Sequence, residues 1–197
     1  MMSKDGIGID PEKLEAVDRL QPCKTVAEVR SLLGFTGFLR DHVSHYANMI
    51  APIQDLVVKG HNKNSSNIES FWDEECDKAL ELVKETLKSN EVLAFPDKTI
   101  PYELFTDASG RHMSGVLMQK NRPIGYFAKS FHGTQLSWAA LTKEAHAVYR
   151  SVEFLSVFII ASKVVLRCDH KPLKGFLKGD TKNQMVNRWS VNMQQQR

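Results

Sequence analysis

The sequence predicts an α/β fold in which a small helical segment precedes a mixed β-sheet with flanking helices. Three observations lead to this prediction. Apolar residues at helical spacing dominate the first sixty positions, and short strand candidates joined by turn residues follow Pro96. A long helical pattern then precedes a compact β-branched segment at 163–168. Strands followed by a helix and a further strand are typical of an α/β unit that contains a parallel strand pair.

Capping signals define the helices of the first segment. Asp10 followed by Pro11 is an N-cap with proline at the first helical position. Thr25 and Glu28 have the spacing of a capping box. A third helix is expected to carry the apolar residues of 50–57 and to end at Gly60.

A polar stretch at 61–70, rich in Asn and Ser, predicts a linker or an exposed loop. We therefore expect a helical segment at 1–67 and a second domain at 68–197. That domain is expected to begin with a helix capped by Asp73.

The second domain is expected to contain four strands and a long helix. The helix spans 142–158 and lies between the third and fourth strands. The expected strands are 102–106, 116–119, 124–130 and 163–168.

Composition excludes several classes of protein. Of 197 residues, 42% are hydrophobic and 25% are charged, which is typical of a globular chain and not of a disordered one. No apolar stretch is long enough to span a bilayer, and the N-terminus has no signal-peptide pattern. Three cysteines without C-x-x-C spacing argue against a disulfide framework or a zinc site. We expect an intracellular protein, in the cytoplasm or the nucleus, with no membrane partner.

Positive charge is concentrated near the C-terminus. Residues 170–197 carry six Lys or Arg residues and one acid, Asp180, whereas the net charge of the whole chain is +3. A solvated terminal segment explains this charge without any ligand. A surface that follows nucleic-acid phosphates is the functional alternative.

Three carboxylates occupy positions that suggest a site. Asp107 and Asp169 each follow a predicted strand, and Glu144 lies in the first turn of the helix between those strands. Glu144 shares a helix face with Val148 and Ser151, the face expected to pack on the sheet. If the first and last strands are parallel neighbours, both aspartates emerge at the same edge of the sheet, within reach of Glu144.

Clustered carboxylates repel one another, and a divalent cation removes this cost. Oxygen ligands suit Mg²⁺ or Mn²⁺. Two such ions about 4 Å apart activate an attacking water and stabilise the leaving oxygen of a phosphodiester. The alternative is that each acid is a strand-end cap or a surface charge, and spacing alone leaves both interpretations open.

Four short segments resemble the ribonuclease H domain of gypsy-type LTR retrotransposon Pol polyproteins. They occur in the family's order and contain all three carboxylates. They are F-T-D-A-S with S-G-V-L at 105–117, P-I-G-Y-F-A-K-S at 123–130, T-K-E-A-H-A-V at 142–148 and R-C-D-H-K-P-L at 167–173. Residues 22–40 resemble the helical thumb that follows the polymerase palm in the same polyproteins, and 183–189 resemble a later helix of the ribonuclease H domain.

The resemblance implies a reverse-transcriptase thumb followed by a ribonuclease H-like mixed sheet, and hydrolysis of the RNA strand of RNA–DNA hybrids. Asp107, Glu144 and Asp169 are the implied catalytic residues and hold two Mg²⁺ ions, with Mn²⁺ as a substitute. The hybrid and the remainder of a Pol polyprotein are the implied partners. The expected contacts to nucleic acid are Ser109, His170, Lys171, Lys174, Lys182 and Arg188.

Two departures from the family limit this function. The sequence has no Asp-Asp pair, so the polymerase palm is absent and DNA synthesis is not expected. After Asp169 the only acid is Asp180, too early to match the family's fourth metal-binding aspartate, so we expect a C-terminally truncated domain. The alternative function is therefore a catalytically inactive nucleic-acid-binding relic. A helical interaction adaptor would explain residues 10–60 but not the three acids.

Overall fold

The structure is a computed structural model, and it describes residues 1–62, 66–89, 92–168 and 188–189. The chain forms two compact units, Met1–Val92 and Leu93–Arg197. The α/β class is confirmed, with a helical first unit and a four-stranded mixed sheet in the second. No helix within the described residues has both the length and the apolar character needed to cross a bilayer.

Within its described residues, the first unit contains a short two-stranded hairpin, four α-helices and two 3-10 helices. Its strands and α-helices are β1 (Met2–Ser3), β2 (Gly6–Ile7), α1 (Pro11–Asp18), α2 (Val26–Phe38), α3 (Tyr46–Asn62) and α4 (Glu74–Lys88). Helix α3 packs against α2 and α4, and α1 packs against α4. The core between them includes Val17, Val29, Ile53, Leu56 and Leu80, none more than 1% exposed.

The three predicted helix caps, Asp10, Thr25 and Asp73, are confirmed. Asp10 accepts a hydrogen bond from the backbone N–H of Glu12, and Asp73 accepts one from that of Cys76. Thr25 and Glu28 form the complete capping box. Each cap satisfies backbone donors that a helix start leaves without an intrahelical partner.

The end of α3 and the predicted loop at 61–70 differ from expectation. Helix α3 continues two residues past Gly60, to Asn62. Ile68 is fully buried, and its backbone N–H donates to the carbonyl of Lys24 at 2.8 Å. Thr25 and Asn67 form an antiparallel bridge. The described part of this stretch is therefore held against the start of α2. The burial of the Ile68 side chain stabilises this arrangement although the neighbouring residues are polar.

The second unit is built on one mixed sheet with the strand order β5-β4-β3-β6. Its elements are β3 (Tyr102–Ala108), β4 (His112–Gln119), β5 (Arg122–Ser130), α5 (Ala140–Phe154), α6 (Ser156–Ile159) and β6 (Val164–Arg167). Strands β3, β4 and β5 are antiparallel neighbours, and β6 pairs with β3 in parallel. Helix α5 packs on β3 and β4. The core between sheet and helices includes Tyr102, Leu104, Leu117, Ala147 and Leu155.

The long helix predicted over 142–158 is interrupted. Helix α5 ends at Phe154, and Leu155 leaves helical geometry with φ −90° and ψ 6°. The short helix α6 then turns the chain toward β6. Leu155 is 1% exposed and belongs to the core, so the interruption directs an apolar side chain inward.

The division between the compact units lies after Val92, whereas the sequence predicts a domain boundary after residue 67. Helix α4 packs with the preceding helices α1 and α3. The boundary at 67 stays a prediction about which parts of the chain fold independently.

Candidate active site

Asp107 lies near the end of the central strand β3. Its backbone pairs with Ser114 of β4, and its side chain is exposed. Alternation along the strand places Asp107 on the side opposite the buried residues Leu104 and Thr106. Strand β3 runs to Ala108, so Asp107 is held within the sheet and not in the following turn.

Glu144 lies on the first half of α5 and is 6% exposed. The sequence predicts one buried face for this helix. In the structure, all seven residues from 142 to 148 are buried. Sheet residues cover one side of this half of the helix, and an aromatic cluster described below covers another. The Glu144 side chain is therefore held in a narrow range of orientations.

Lys143 connects the start of α5 to the turn that follows Asp107. Its side chain is buried, and its ammonium donates to the carbonyl oxygen of Gly110 at 2.6 Å and to that of Leu136 at 2.9 Å. The ammonium also lies 5.4 Å from the centroid of the Phe131 ring. Because a buried ammonium needs compensating partners, these contacts fix its place.

Ser109 closes the turn between β3 and β4. Its hydroxyl accepts from the backbone N–H of His112 at 2.9 Å and from that of Arg111 at 3.3 Å. It also donates to the carbonyl oxygen of His112 at 3.2 Å. The residue proposed from sequence as a nucleic-acid contact thus has a structural role in the turn, and its contact with nucleic acid stays a prediction.

The parallel pairing of β3 with β6 is the arrangement that the carboxylate hypothesis requires. Tyr102 pairs with Val164 and Phe105 pairs with Arg167, so paired residues are 62 positions apart in sequence. A side-chain contact supports the same register: Arg167 donates from Nη2 and Nε to Oε1 of Glu103, at 2.7 and 3.1 Å. The last described residue of this segment is Cys168.

A close approach between sheet and helix lies beside the site. Thr106 pairs with Gly115, and Gly115 faces Ser151 of α5. The hydroxyls of Thr106 and Ser151 are buried, and neither has a hydrogen-bond partner among the described residues. Gly115 allows this approach because it has no Cβ.

An aromatic cluster covers the outer side of α5. His146 lies 4.7 Å from Trp189 and 5.2 Å from Trp138, measured between ring centroids. Tyr149 stacks on Trp189 at 5.8 Å. Burial, with smaller contributions from Arg150 and Lys129, lowers the pKa of His146 to about 4. Trp138 is half-buried and contacts the rings of both His146 and Trp189.

The described part of the site contains two of the three predicted catalytic residues. Asp107 and Glu144 lie on elements that pack together, whereas Asp169 lies outside the described residues. Among the described residues, no three His, Cys, Asp or Glu side chains are grouped to hold a metal ion. The convergence of the three carboxylates stays a prediction. Of the predicted nucleic-acid contacts, Arg188 is exposed, and four lie outside the described residues: His170, Lys171, Lys174 and Lys182.

Sequence reasoning missed Lys143 and His146 as residues that shape the site. Both lie in the segment T-K-E-A-H-A-V, where helical periodicity assigned importance to the Glu144 face alone. The sequence did contain one signal for Lys143: it is a charged residue directly before Glu144, the acid expected to face the sheet. Periodicity does not show that a helix is covered on several sides.

Comparison with known proteins supports the resemblance noted in the sequence. The model of the "RNase H-like domain found in reverse transcriptase" matches residues 72–166. The chain is 30% identical to the "Retrovirus-related Pol polyprotein from transposon opus" of Drosophila melanogaster and 29% identical to that from transposon gypsy. Both matches cover 99% of this chain. They cover 20% of the opus polyprotein and 19% of the gypsy polyprotein. The chain thus spans about a fifth of the length of these curated relatives.

Solved structures show the same fold. A foamy viral protease-reverse transcriptase in complex with double-stranded DNA matches with a TM-score of 0.79 at 19% identity, over 98% of this chain and 34% of that one. The foamy viral enzyme in complex with RNA/DNA hybrid matches with a TM-score of 0.77 over 98% of this chain and 26% of that one. At this identity the likeness concerns the fold alone.

The resemblance predicted from the sequence is confirmed. The same family is indicated by the four segments around the carboxylates, by the mixed sheet and by these relatives. The chain matches the Pol polyproteins of gypsy-type retrotransposons over nearly its whole length, and residues 72–166 match the RNase H-like domain found in reverse transcriptase.

Proposed function

We propose that this chain hydrolyses the RNA strand of RNA–DNA hybrids, with Asp107, Glu144 and Asp169 as its catalytic carboxylates. The observation that carries the proposal is the parallel pairing of β3 with β6. Paired residues are 62 positions apart, and the same separation divides Asp107 from Asp169. This register favours a common sheet edge for the two aspartates, and α5, which carries Glu144, packs on β3 and β4.

The chemistry of these donors suits Mg²⁺, or Mn²⁺ in its place, because both ions prefer carboxylate oxygens. Asp107, Glu144 and Asp169 would hold the ions. When bound, divalent ions supply electrostatic stabilisation for in-line displacement at a phosphodiester. The chain itself contributes the fixed backbone of β3, which holds Asp107, and the buried half of α5, which restricts Glu144.

Substrate recognition is proposed to rest on phosphates and 2′-hydroxyls and not on base edges. The candidate contacts are Ser109 at the turn after β3, His170, the lysines 171, 174 and 182, and the exposed Arg188. The positive charge of the lysines and Arg188 predicts binding that weakens as the salt concentration rises. Each phosphate contact is expected to add roughly 0.7–0.9 to the slope of the logarithm of the binding constant against the logarithm of the salt concentration. The foamy viral relative bound to RNA/DNA hybrid supports this class of ligand.

Cleavage of a labelled RNA–DNA hybrid tests the catalytic proposal. We expect metal-dependent cutting of the RNA strand by the wild type. Removing an acid by Asp107→Asn, Glu144→Gln or Asp169→Asn should lower the rate at least 100-fold. Glu85→Gln, which changes an exposed acid on α4, is the matched control and should keep the wild-type rate.

Binding of the same hybrid, measured at low salt, distinguishes the alternatives. Binding without cleavage in either Mg²⁺ or Mn²⁺ would favour an inactive nucleic-acid-binding relic. Equal cleavage by the wild type and Asp107→Asn would show that a contaminating nuclease is responsible. If the hybrid is neither bound nor cut, the proposed function is wrong.

A further inference from the structure

The buried ammonium of Lys143 joins three segments of the second unit. Its two acceptors are the carbonyl oxygens of Gly110, in the turn between β3 and β4, and Leu136, in the 3-10 helix Gly133–Ser137. Lys143 itself lies on α5 and is 7% exposed. Its contacts are with backbone oxygens that no side-chain substitution removes.

These contacts connect the segments that carry the two described carboxylates. Gly110 follows Asp107 by three residues, and the intervening Ser109 fixes the turn through its hydroxyl. Glu144 follows Lys143 directly on a helix whose first half is buried on all sides. The path from Asp107 to Glu144 therefore runs through a short turn, one charged hydrogen bond of 2.6 Å and one helical residue.

We propose that Lys143 is a positioning residue that holds the Glu144 backbone at a fixed place relative to Asp107, an inference that rests on the proposed function of those carboxylates. Lys143 as a residue is only 7% exposed, and its ammonium donates to two carbonyl oxygens, so we expect it to act through Glu144 and Asp107 and not by contacting a phosphate. Charge-assisted hydrogen bonds are about twice as strong as neutral ones, and a buried ammonium that lost them would be strongly disfavoured. The strength of these hydrogen bonds and the cost of breaking them both favour a single relative position of Asp107 and Glu144.

Mn²⁺ binding to the full chain, followed by the electron paramagnetic resonance signal of free Mn²⁺, tests this role. Lys143→Met keeps the length and apolar stem of the side chain and removes its donors. We expect its Kd for Mn²⁺ to rise about 10-fold, the scale on which partners that orient metal ligands act. Lys163→Met removes an exposed lysine beside β6 and should leave the Kd unchanged.

The titration separates positioning from a loss of folded protein. An irreversibly misfolded fraction lowers the number of ions bound per chain and leaves the Kd as in the wild type. Reversible unfolding raises the apparent Kd by the reciprocal of the folded fraction, which urea unfolding of each variant measures. Only a rise in Kd beyond that factor indicates a displaced Glu144. Should Lys143→Met lose its near-ultraviolet circular dichroism, Lys143→Gln is measured instead. Its amide is too short to reach both carbonyls, and we expect a Kd at least threefold above that of the wild type.

The outcomes also distinguish this inference from the proposed function. If the wild type binds no Mn²⁺ and cuts no hybrid, the proposed function fails and Lys143 has no carboxylates to position. If the wild type binds Mn²⁺ and a folded Lys143 variant binds it with the same Kd, the positioning role is wrong while the proposed function stands.

Discussion

Gly115 of β4 lies so close to Ser151 of α5 that a Cβ atom added to the glycine would lie 2.8 Å from the Cβ of the serine. Real Cβ atoms do not approach one another this closely. The helix that carries Glu144 can therefore rest on the sheet that carries Asp107 only because position 115 has no side chain.

We expect Gly115→Ala to lower the free energy of unfolding by about 2–3 kcal/mol, because α5 must move away from the sheet. Urea unfolding followed by circular dichroism measures the change. Gly110→Ala is the control, since a Cβ there meets no heavy atom within 4 Å. Adding Ser151→Gly to Gly115→Ala should restore part of the loss, and no recovery at all would contradict the steric explanation.

Ala161 adopts a backbone conformation that suits glycine, with φ +57° in the connection between α6 and β6. The left-handed region costs a residue with a Cβ about 1 kcal/mol. Ala161→Gly should therefore raise the free energy of unfolding by up to about 1 kcal/mol. Ala128→Gly, the same change within β5, should lower it by roughly 0.5–1 kcal/mol. If both changes destabilise the protein equally, Ala161 is not strained.

His146 makes stability depend on pH. Burial lowers its pKa in the folded state to about 4, whereas in the unfolded chain it titrates near the ordinary value of 6.5. Between these values the unfolded state binds more protons, so stability is full above pH 6.5 and is lost as the pH falls toward 4. From the shift we expect a loss of about 2–3 kcal/mol across this window.

Urea unfolding at pH 7, 5.5 and 4.5 measures the contribution of His146. His146→Phe keeps a ring among Trp138, Tyr149 and Trp189 and removes the titrating group. The difference in stability between wild type and variant should shrink or change sign in favour of the variant as the pH falls. A difference that is constant with pH would show that His146 is protonated equally in both states.

Ile68 should be essential for the first unit although it lies in a polar stretch. It is fully buried, and we expect Ile68→Ala to cost about 2–4 kcal/mol through lost burial and the cavity that remains. Val58→Ala on α3, where the side chain is 57% exposed, is the control and should change stability by less than about 0.5 kcal/mol. Equal effects in thermal unfolding of the two variants would mean that the segment at 66–68 is not held as the structure describes.

Local sequence patterns were sufficient to predict three helix caps and the presence of the four strands of the second unit. The caps at Asp10, Thr25 and Asp73 depend on residues within four positions of one another, so spacing alone predicts them. The candidate acids Asp107 and Glu144 were found in the same way, from strand ends, helix faces and a resemblance carried by short segments. Alternation and helical periodicity contain this information because they report which side of one element is apolar.

Only the tertiary structure decided the features that join distant segments. The parallel pairing of Phe105 with Arg167, the contact of Lys143 with Gly110 and the fit of Gly115 against Ser151 each connect residues more than thirty positions apart. The burial of Ile68 and the interruption at Leu155 are of the same kind, since each depends on which core receives the side chain. The sequence alone indicated the residues that we propose to carry the chemistry and predicted the elements that hold Asp107 and Glu144. The packing of helix on sheet decided how those elements are aligned, because close packing depends on the summed shapes of side chains that no local pattern records.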